Sequence, residues 1–224
     1  MEKKFSVFAQ NLAYYNEGEL VGGWLDLPQS PEVINKYLKE VVKIDEEHEE
    51  YEIADVDGVP LPYESIQWGD LYKINDLAII YYSLLTEEKD AIQAHLELEG
   101  QEHYTIEELI NICLQADDIV YYPYSFEGLE YNQDCSPELK LGYTIAEETG
   151  IYLELQKLGC LDYFDFEKYG ESYTYGSYEV FSKGYLITDY DIVLDYYSSE
   201  EIKEKVKEIL QEKQKEREVQ EIEI

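Results

Sequence analysis

Carboxylate side chains without compensating cations dominate this sequence and constrain the folds it can adopt. The 224 residues include 51 Asp and Glu against 17 Lys and Arg. The last 26 residues hold nine of these acids and six of these bases, so the first 198 carry 42 acids against 11 bases. Such a surplus destabilises a compact state by self-repulsion. We therefore expect the charge to serve a partner, a high-salt environment or solubility.

The chain is nevertheless predicted to fold. Disordered acidic chains have low hydrophobicity and few aromatic residues. Here 45% of the residues are hydrophobic and 14% are aromatic. Adaptation to high salt would favour Asp, whereas the chain has 36 Glu and 15 Asp. A partner that expects a polyanion and plain solubility are the interpretations that remain.

The first segment has the pattern of a ββαβ unit. Strands are predicted over residues 5–15 and 19–27, joined by a turn at Asn16-Glu17-Gly18. Ser30-Pro31 predicts a helix start, and residues 51–56 predict a third strand. The apolar stripe of the helix is predicted to contain Val33, Tyr37, Leu38, Val41 and Val42.

The middle segment has helical periodicity. One predicted helix places Leu77, Ile80, Tyr81, Leu84 and Leu85 on a single face. A second is predicted to be capped by Thr86 and to end at Gly100, with Ala91, Ile92, His95, Leu96 and Leu98 inward. Thr105 and Glu108 predict a capping box for a third, with Leu109, Ile112 and Cys113 inward.

The remainder has a mixed pattern. Strands are predicted over residues 118–124, 173–181 and 184–190, and a helix over 144–158 that ends at Gly159. After Ser199 the composition changes to Glu, Lys and Gln at helical spacing. This tail is predicted to be a charged helix, exposed to solvent or packed on a partner subunit.

These patterns predict an α+β protein with no catalytic or metal site. The predicted domains are 1–68 (antiparallel sheet and helix), 69–125 (helical), 126–198 (mixed α+β) and a helical tail, 199–224. The histidines and cysteines are isolated from one another in sequence and lack the spacing of a nucleophile–base pair or a zinc site. Asp55-Val56-Asp57-Gly58 places its glycine too early for a calcium loop. We therefore expect no enzyme activity and no cofactor.

Localisation and nucleic-acid binding also follow from the composition. The chain has no apolar signal-peptide segment and no membrane-length apolar run, so a cytoplasmic protein without membrane contact is expected. Direct nucleic-acid binding needs Lys and Arg and is disfavoured. The net charge of -34 instead equals that of the phosphates in about 17 base pairs of DNA. A DNA-binding protein could thus meet on this chain the charge that it recognises on DNA.

The candidate partner-binding surface consists of acidic residues from runs that lack cationic partners in sequence. Singly, such runs are typical of solvated faces or helix N-termini. The set is Asp45, Glu46, Glu47, Glu49, Glu50, Glu52, Asp55, Asp57, Glu87, Glu88, Asp90, Glu97, Glu99, Glu107, Glu108, Asp117, Asp118, Glu147 and Glu148.

Two stretches resemble the ArdA antirestriction proteins. The stretch from Tyr15 to Leu27 (YNEGELVGGWLDL) is similar to the first-domain signature of that family, a Tyr-Asn-x-Gly turn leading into Gly-x-Trp-x-Asp-Leu. The stretch from Tyr163 to Glu171 (YFDFEKYGE) resembles the family's third-domain run of aromatic and acidic residues. In this signature we expect Trp24 and Asp26 to be fold determinants, with Trp24 in the core.

The resemblance implies three small domains in an elongated, curved, usually dimeric protein whose surface imitates bent B-form DNA. Family members occupy the DNA-binding groove of type I restriction-modification enzymes and block them. The chain departs from the family in a loop near 125–143 and in the tail after Ser199. The alternatives are an inhibitor of another DNA-binding system (a CRISPR nuclease or a nucleoid protein), an acidic scaffold, and a carboxylate hydrolase.

Overall fold

The computed structural model describes residues 4–58, 61–100, 103–126, 135–188 and 196–222, and these form a mixed α+β protein, as predicted. The helices are α1 (Leu12–Asn16), α2 (Pro31–Glu40), α3 (Tyr63–Ile66), α4 (Leu71–Tyr81), α5 (Thr86–Glu99), α6 (Ile106–Leu114), α7 (Pro137–Glu148), α8 (Ile151–Leu158), α9 (Phe166–Thr174) and α10 (Ser199–Ile222). The strands are β1 (Phe5–Asn11), β2 (Gly22–Leu27), β3 (Tyr51–Asp57), β4 (Tyr121–Pro123), β5 (Tyr178–Val180) and β6 (Gly184–Ile187).

The chain divides into two compact units. Unit 1 comprises Met1–Leu85, Gln101–Gln115 and Leu194–Ile224. Unit 2 comprises Thr86–Gly100 and Ala116–Val193. The three-domain division drawn from the sequence stays a prediction.

Unit 1 contains an antiparallel sheet in the order β2-β1-β3. The predicted pairing of the first two strands is confirmed, but residues 12–15 were wrongly predicted as strand. Asn11 ends β1 because its side-chain Oδ1 accepts hydrogen bonds from the amides of Ala13 and Tyr14, which caps α1. The third strand is confirmed.

Helix α4 forms the centre of unit 1 and contacts α2, α6, α10 and β2. It is apolar around most of its circumference, as expected of a helix that is covered on several sides. It starts at Leu71 because the Asp70 side chain caps the amides of Tyr72 and Lys73. Leu85, predicted to lie inward, is exposed.

Helix α2 begins as predicted, with Ser30 at the cap and Pro31 in the first turn. Its buried residues are Ile34 and Tyr37, whereas Val33 and Val41 are exposed. The predicted stripe was therefore wrong at two positions. The Tyr37 hydroxyl donates to the carbonyl oxygen of Gly23 and accepts from the Ala9 amide. Burial raises the pKa of this phenol to about 12.

The predicted tail helix is confirmed as α10, and it packs on its own chain. Ile202 and Val206 are buried, and the helix contacts α4. The expectation of a helix exposed to solvent or packed on a partner subunit was therefore wrong for this face. The apolar spacing of four residues between Ile202 and Val206 gives α10 its buried side.

Unit 2 contains an antiparallel sheet in the order β4-β6-β5. Helix α5 contacts β4 and β6, and α7 contacts β5 and β6. The strand pair around Ser182-Lys183 is confirmed but shorter than predicted, because Tyr173 and Thr174 belong to α9. The strand predicted over 118–124 reduces to β4, and Leu98, predicted to lie inward on α5, is exposed. Residues 189 and 190 lie outside the described residues.

The helix predicted over 144–158 is two helices. Helix α7 starts earlier, at Pro137, and α8 follows after Gly150. Gly150 has φ 78°, a left-handed conformation that ends α7. The predicted end at Gly159 is confirmed, with φ 67°.

Helices α7 and α9 cross with their backbones in close approach. A β-carbon added at Gly142 would lie 1.8 Å from the Phe166 carbonyl oxygen. One added at Gly170 would lie 1.9 Å from the carbonyl oxygen of Glu138. The crossing therefore depends on a glycine in each helix. Leu141, Ile145 and Tyr185 form the buried cluster beside it.

Candidate functional site

The acidic residues of the candidate surface lie on the outside of the protein. Fifteen of the 19 are exposed, and the other four, Glu52, Glu88, Asp90 and Glu107, are half-buried. They belong to both units, and each unit is described separately. Their role in binding a partner stays a prediction.

The densest group in unit 1 runs from Asp45 to Asp57, where eight of 13 residues are acidic and none is Lys or Arg. The first part is the connection between α2 and β3, and the second is β3 itself. Glu46, Glu47, Glu49 and Glu50 are all exposed. We refer to residues 45–57 as the acidic segment.

Hydrogen bonds within unit 1 hold the loop half of the acidic segment in place. The Asp45 carboxylate accepts from the amides of Glu47 and His48, each at 2.9 Å. The His48 ring lies 2.9 Å from Asp45 through Nδ1 and stacks on Tyr14 with ring centroids 4.3 Å apart. The contact with His48 is the main cause that lowers the pKa of Asp45 below its ordinary value.

The buried side chain of Asn11 holds the backbone on both sides of Asp45. Its buried amide donates to the carbonyl oxygens of Val42 at 3.2 Å and His48 at 3.2 Å, and more weakly to that of Lys43. Its Oδ1 meanwhile caps α1. One side chain thus joins β1, α1 and the acidic segment, so the carboxylates are presented on ordered backbone.

Replacing Asn11 by Ala is expected to destabilise unit 1 by about 3 kcal/mol, because it leaves buried carbonyl groups without donors and removes a helix cap. The free energy of unfolding can be followed by tryptophan fluorescence, since Trp24 and Trp68 both belong to unit 1. Asn16→Ala is the matched control, because Asn16 is exposed and its loss should change stability by less than about 0.5 kcal/mol. Equal stabilities of the two variants would contradict the role assigned to Asn11.

Some of the predicted acids have a structural explanation. Glu108 completes the predicted capping box with Thr105, which is confirmed. Glu107 forms an ion pair with Lys73, whose hydrogen bond is the main cause that lowers the pKa of Glu107. Glu87 and Glu88 lie in the first turn of α5, where the helix dipole favours negative charge. Asp90 accepts from Lys183 at 2.5 Å within unit 2.

Other acids lie where local structure does not favour them. Glu147 and Glu148 are exposed in the last turn of α7, at the end of a helix where the dipole disfavours negative charge. Glu97 and Glu99 lie in the last turn of α5 in the same unfavourable position. Asp117 and Asp118 are exposed in a short 3-10 turn. The four glutamates in last turns therefore carry charge that helix formation does not explain.

The outer face of the unit 1 sheet contains Trp24, which sequence reasoning misplaced. Trp24, predicted to be in the core, is 50% exposed. Asp26 lies next to it on the same face and accepts hydrogen bonds from Ser6 at 2.7 Å and Lys4 at 2.9 Å. The strand alternation could have shown this, because Leu25 and Leu27 point inward and leave Trp24 and Asp26 outward.

A cavity of about 620 Å³ lies within unit 1 and tests the hydrolase alternative. Its walls come from the start of α2, from α4 and from α10. Asp76 is the one carboxylate among the described residues that line it, and Lys203 and Lys207 line it too. Burial raises the pKa of Asp76, while Lys203 opposes this shift. The described residues that line this cavity therefore do not form the pair of close carboxylates that a hydrolase needs.

The described ranges contain neither a metal-binding cluster nor a membrane-spanning helix. No group of three or more His, Cys, Asp or Glu side chains among the described residues is placed to hold a metal ion. None of the described helices is both long and apolar enough to span a bilayer. The described cysteines, Cys113, Cys135 and Cys160, are free thiols.

These features define an acidic protein whose charged surface, rather than a catalytic centre, is the candidate functional site. The family of antirestriction proteins (ArdA) matches residues 7–187, most of the chain. The chain belongs to this family of non-catalytic inhibitors, and membership implies an antirestriction function directed at restriction-modification enzymes. No individual curated protein matched the chain. Helix α10 lies outside the matched residues.

Proposed function

We propose that this protein inhibits type I restriction-modification enzymes as a DNA mimic, with its surface carboxylates in place of B-DNA phosphates in the DNA-binding groove. The observation that carries the proposal is the acidic segment, which presents eight carboxylates from ordered backbone without a Lys or Arg among them. A basic groove that binds phosphates attracts such a surface through the same long-range field.

The carboxylates placed against the helix dipole support the same proposal. Glu97, Glu99, Glu147 and Glu148 lie in last helical turns, where a cation would stabilise the fold better. Their presence is explained if a cationic partner neutralises them on binding. An acidic scaffold without a DNA-related partner offers no such compensation.

The other features implied by the family resemblance remain part of the proposal. We propose a cytoplasmic homodimer that binds no nucleic acid itself and that combines three domains into an elongated surface. Sedimentation at micromolar concentration measures the dimer independently of any inhibition assay. If the protein were a monomer and still inhibited, dimerisation would not be part of the mechanism. The proposal of DNA mimicry would stand.

The salt dependence of inhibition tests the electrostatic mechanism. Raising the salt from about 50 mM to about 200 mM is expected to weaken inhibition of a type I enzyme by at least about tenfold, because phosphate-like contacts release counterions. The measurement is the inhibition constant at each salt concentration, with the uninhibited enzyme assayed alongside. An inhibition constant that does not change with salt would contradict the mechanism. Inhibition of a CRISPR nuclease or displacement of a nucleoid protein, with type I enzymes unaffected, would favour the alternative target.

A further inference from the structure

The outer face of the β2-β1-β3 sheet in unit 1 combines aromatic and acidic side chains in a regular arrangement. Antiparallel pairing places residues of three strands in rows across the sheet. One row contains Asp26, Ser6 and Asp57. The next contains Trp24, Phe8 and Asp55, and the third contains Gly22, Gln10 and Glu52. We call Phe8, Trp24, Asp26, Glu52, Asp55 and Asp57 the Trp24 patch.

The centre of the Trp24 patch is an aromatic pair open to solvent. Trp24 is 50% exposed, and its ring meets Phe8 edge-on with centroids 5.6 Å apart. The opposite face of the sheet forms the core, where Phe5, Val7 and Ile53 are fully buried. The aromatic pair is therefore not needed to fill the interior, and a tryptophan on an open sheet face is a candidate contact residue.

Carboxylates surround this aromatic pair on several sides. Cross-strand neighbours lie about 5 Å apart, so Asp55 is one strand from Phe8 and two strands from Trp24. Asp26 follows Trp24 by two residues on the same strand and face, at a spacing of about 7 Å. Hydrogen bonds from Ser6 and Lys4 keep the pKa of Asp26 below its ordinary value, so its carboxylate stays charged.

The backbone and side-chain contacts keep this arrangement rigid. Glu52 accepts from the Gln10 side chain at 2.5 Å, which fixes it in its row. Asp55 accepts from the Val56 amide at 2.8 Å. A bulge at Ala54 shifts the register of β3 between Phe8 and Ala9, so that Asp55 and Asp57 both reach the outer face. The charges are therefore held in position before any partner arrives.

We propose that the Trp24 patch binds an arginine side chain of the partner protein. A planar guanidinium can stack on an indole ring and donate hydrogen bonds to a neighbouring carboxylate at the same time. A lysine ammonium is a more strongly hydrated point charge and makes poorer use of a flat aromatic face. A phosphate mimic built from carboxylates alone would not need the tryptophan. This inference rests on the proposed function only for the identity of the arginine-bearing protein.

Charge complementarity selects this occupant over a second copy of the chain. Two copies joined through this face would bring Asp26, Asp55 and Asp57 against carboxylates of the same kind, which is unfavourable. An apolar partner would bury these charges without pairing them, at a high desolvation cost. A cationic, planar side chain matches both the aromatic centre and the acidic rim.

Peptide binding tests the patch without any restriction enzyme. The probes are two fluorescently labelled peptides of equal length and charge, one with three arginines alternating with glycines and one with three lysines. The full-length protein is expected to bind the arginine peptide about three- to tenfold more tightly than the lysine peptide, because of the stacking on Trp24. In a Trp68→Phe background, where Trp24 is the one tryptophan left, the arginine peptide should change the tryptophan emission.

Variants of the two exposed tryptophans show whether the preference comes from this patch. Trp24→Leu keeps an apolar side chain against Phe8 and is expected to abolish the preference for arginine, while Trp24→Phe restores part of it. Trp68→Leu is the matched control, because Trp68 is 66% exposed in the same unit but lies outside the sheet. Asp55→Asn with Asp57→Asn should weaken binding of both peptides. Circular dichroism confirms that each variant is folded.

The outcomes distinguish failure of the arginine-binding proposal from failure of the proposed function. Equal binding of the two peptides by the wild-type protein, or a preference that survives in Trp24→Leu, would overturn the patch. Failure of the wild-type protein to inhibit any type I enzyme would instead overturn the proposed target and leave the peptide result intact. A change in sedimentation caused by Trp24→Leu alone would show that the face joins two copies, which would also overturn the arginine proposal.

Discussion

Replacing Glu46, Glu47, Glu49 and Glu50 together by lysine is expected to weaken inhibition of a type I restriction-modification enzyme by on the order of 10³-fold, because each change removes an attraction and adds a repulsion within a basic groove. All four side chains are exposed and belong to the acidic segment. The fold should persist, because Asp45, His48 and Asn11 make the hydrogen bonds that hold this loop. The measurement is the inhibition constant of the purified variant.

A matched reversal elsewhere in the chain separates local contacts from net charge. Changing Glu200, Glu204, Glu208 and Glu212 to lysine alters the charge by the same amount, and these residues are exposed on α10, outside the family match. The control should retain inhibition within about tenfold, since loss of long-range steering alone has a smaller effect than loss of direct contacts. Equal losses in the two variants would show that net charge, rather than the acidic segment, determines inhibition.

Replacing Gly142 by Ala is expected to destabilise unit 2 by more than about 3 kcal/mol, since overpacking against rigid backbone is poorly relieved. The added methyl group would lie 1.8 Å from the Phe166 carbonyl oxygen and 3.0 Å from the Gly170 nitrogen, so α7 and α9 would have to separate. The aromatic stack of Tyr143 on Phe166, with ring centroids 4.0 Å apart, would separate with them. Both tryptophans of the chain belong to unit 1, so their fluorescence does not report on unit 2 directly. Hydrogen exchange of α7 and α9 is therefore the appropriate measurement.

Gly176→Ala provides the control for this substitution. A β-carbon at Gly176 would lie 3.6 Å from the Tyr173 carbonyl oxygen, which is an ordinary contact. Its effect should stay within about 1 kcal/mol, because a glycine outside the left-handed region tolerates alanine. If the amides of α7 exchanged as slowly in Gly142→Ala as in Gly176→Ala, the close crossing of the helices would be refuted.

Local signals in the sequence predicted element ends well. The Thr105–Glu108 capping box, the start of α2 after Ser30 and the end of α8 at Gly159 all depend on interactions within a few residues. The period of the apolar residues likewise predicted the three strands of unit 1, and the family match confirmed the resemblance found in the signature residues.

Features that depend on tertiary contacts could not be predicted in the same way. The apolar alternation continues through Leu12–Tyr15, yet the cap made by Asn11 turns these residues into a helix. Helix α2 buries Ile34 in place of Val33 because the position of its neighbours selects the inward face. The side of α10 that contains Ile202 and Val206 meets α4, a partner about 120 residues away in sequence that no local pattern indicates.

The same difference between local and tertiary information applies to the candidate surface. Composition predicted that its acids lie outside, because charged side chains are rarely buried without partners. It did not indicate which acids have structural roles, as Glu107 does with Lys73, or which share a face with an exposed tryptophan, as Asp55 does with Trp24. Those assignments require the register of the strands and the ends of the helices.

The most direct test of the central claim is competition with DNA for a purified type I restriction-modification enzyme. A fluorescent duplex that contains the recognition sequence is bound to the enzyme and displaced by this protein, and the experiment is repeated at several duplex concentrations. DNA mimicry predicts that the concentration needed for half-displacement rises in proportion to the duplex concentration, because the two share one groove. Enzyme inhibition with the duplex still bound, or a half-displacement concentration independent of the duplex, would contradict the mimic.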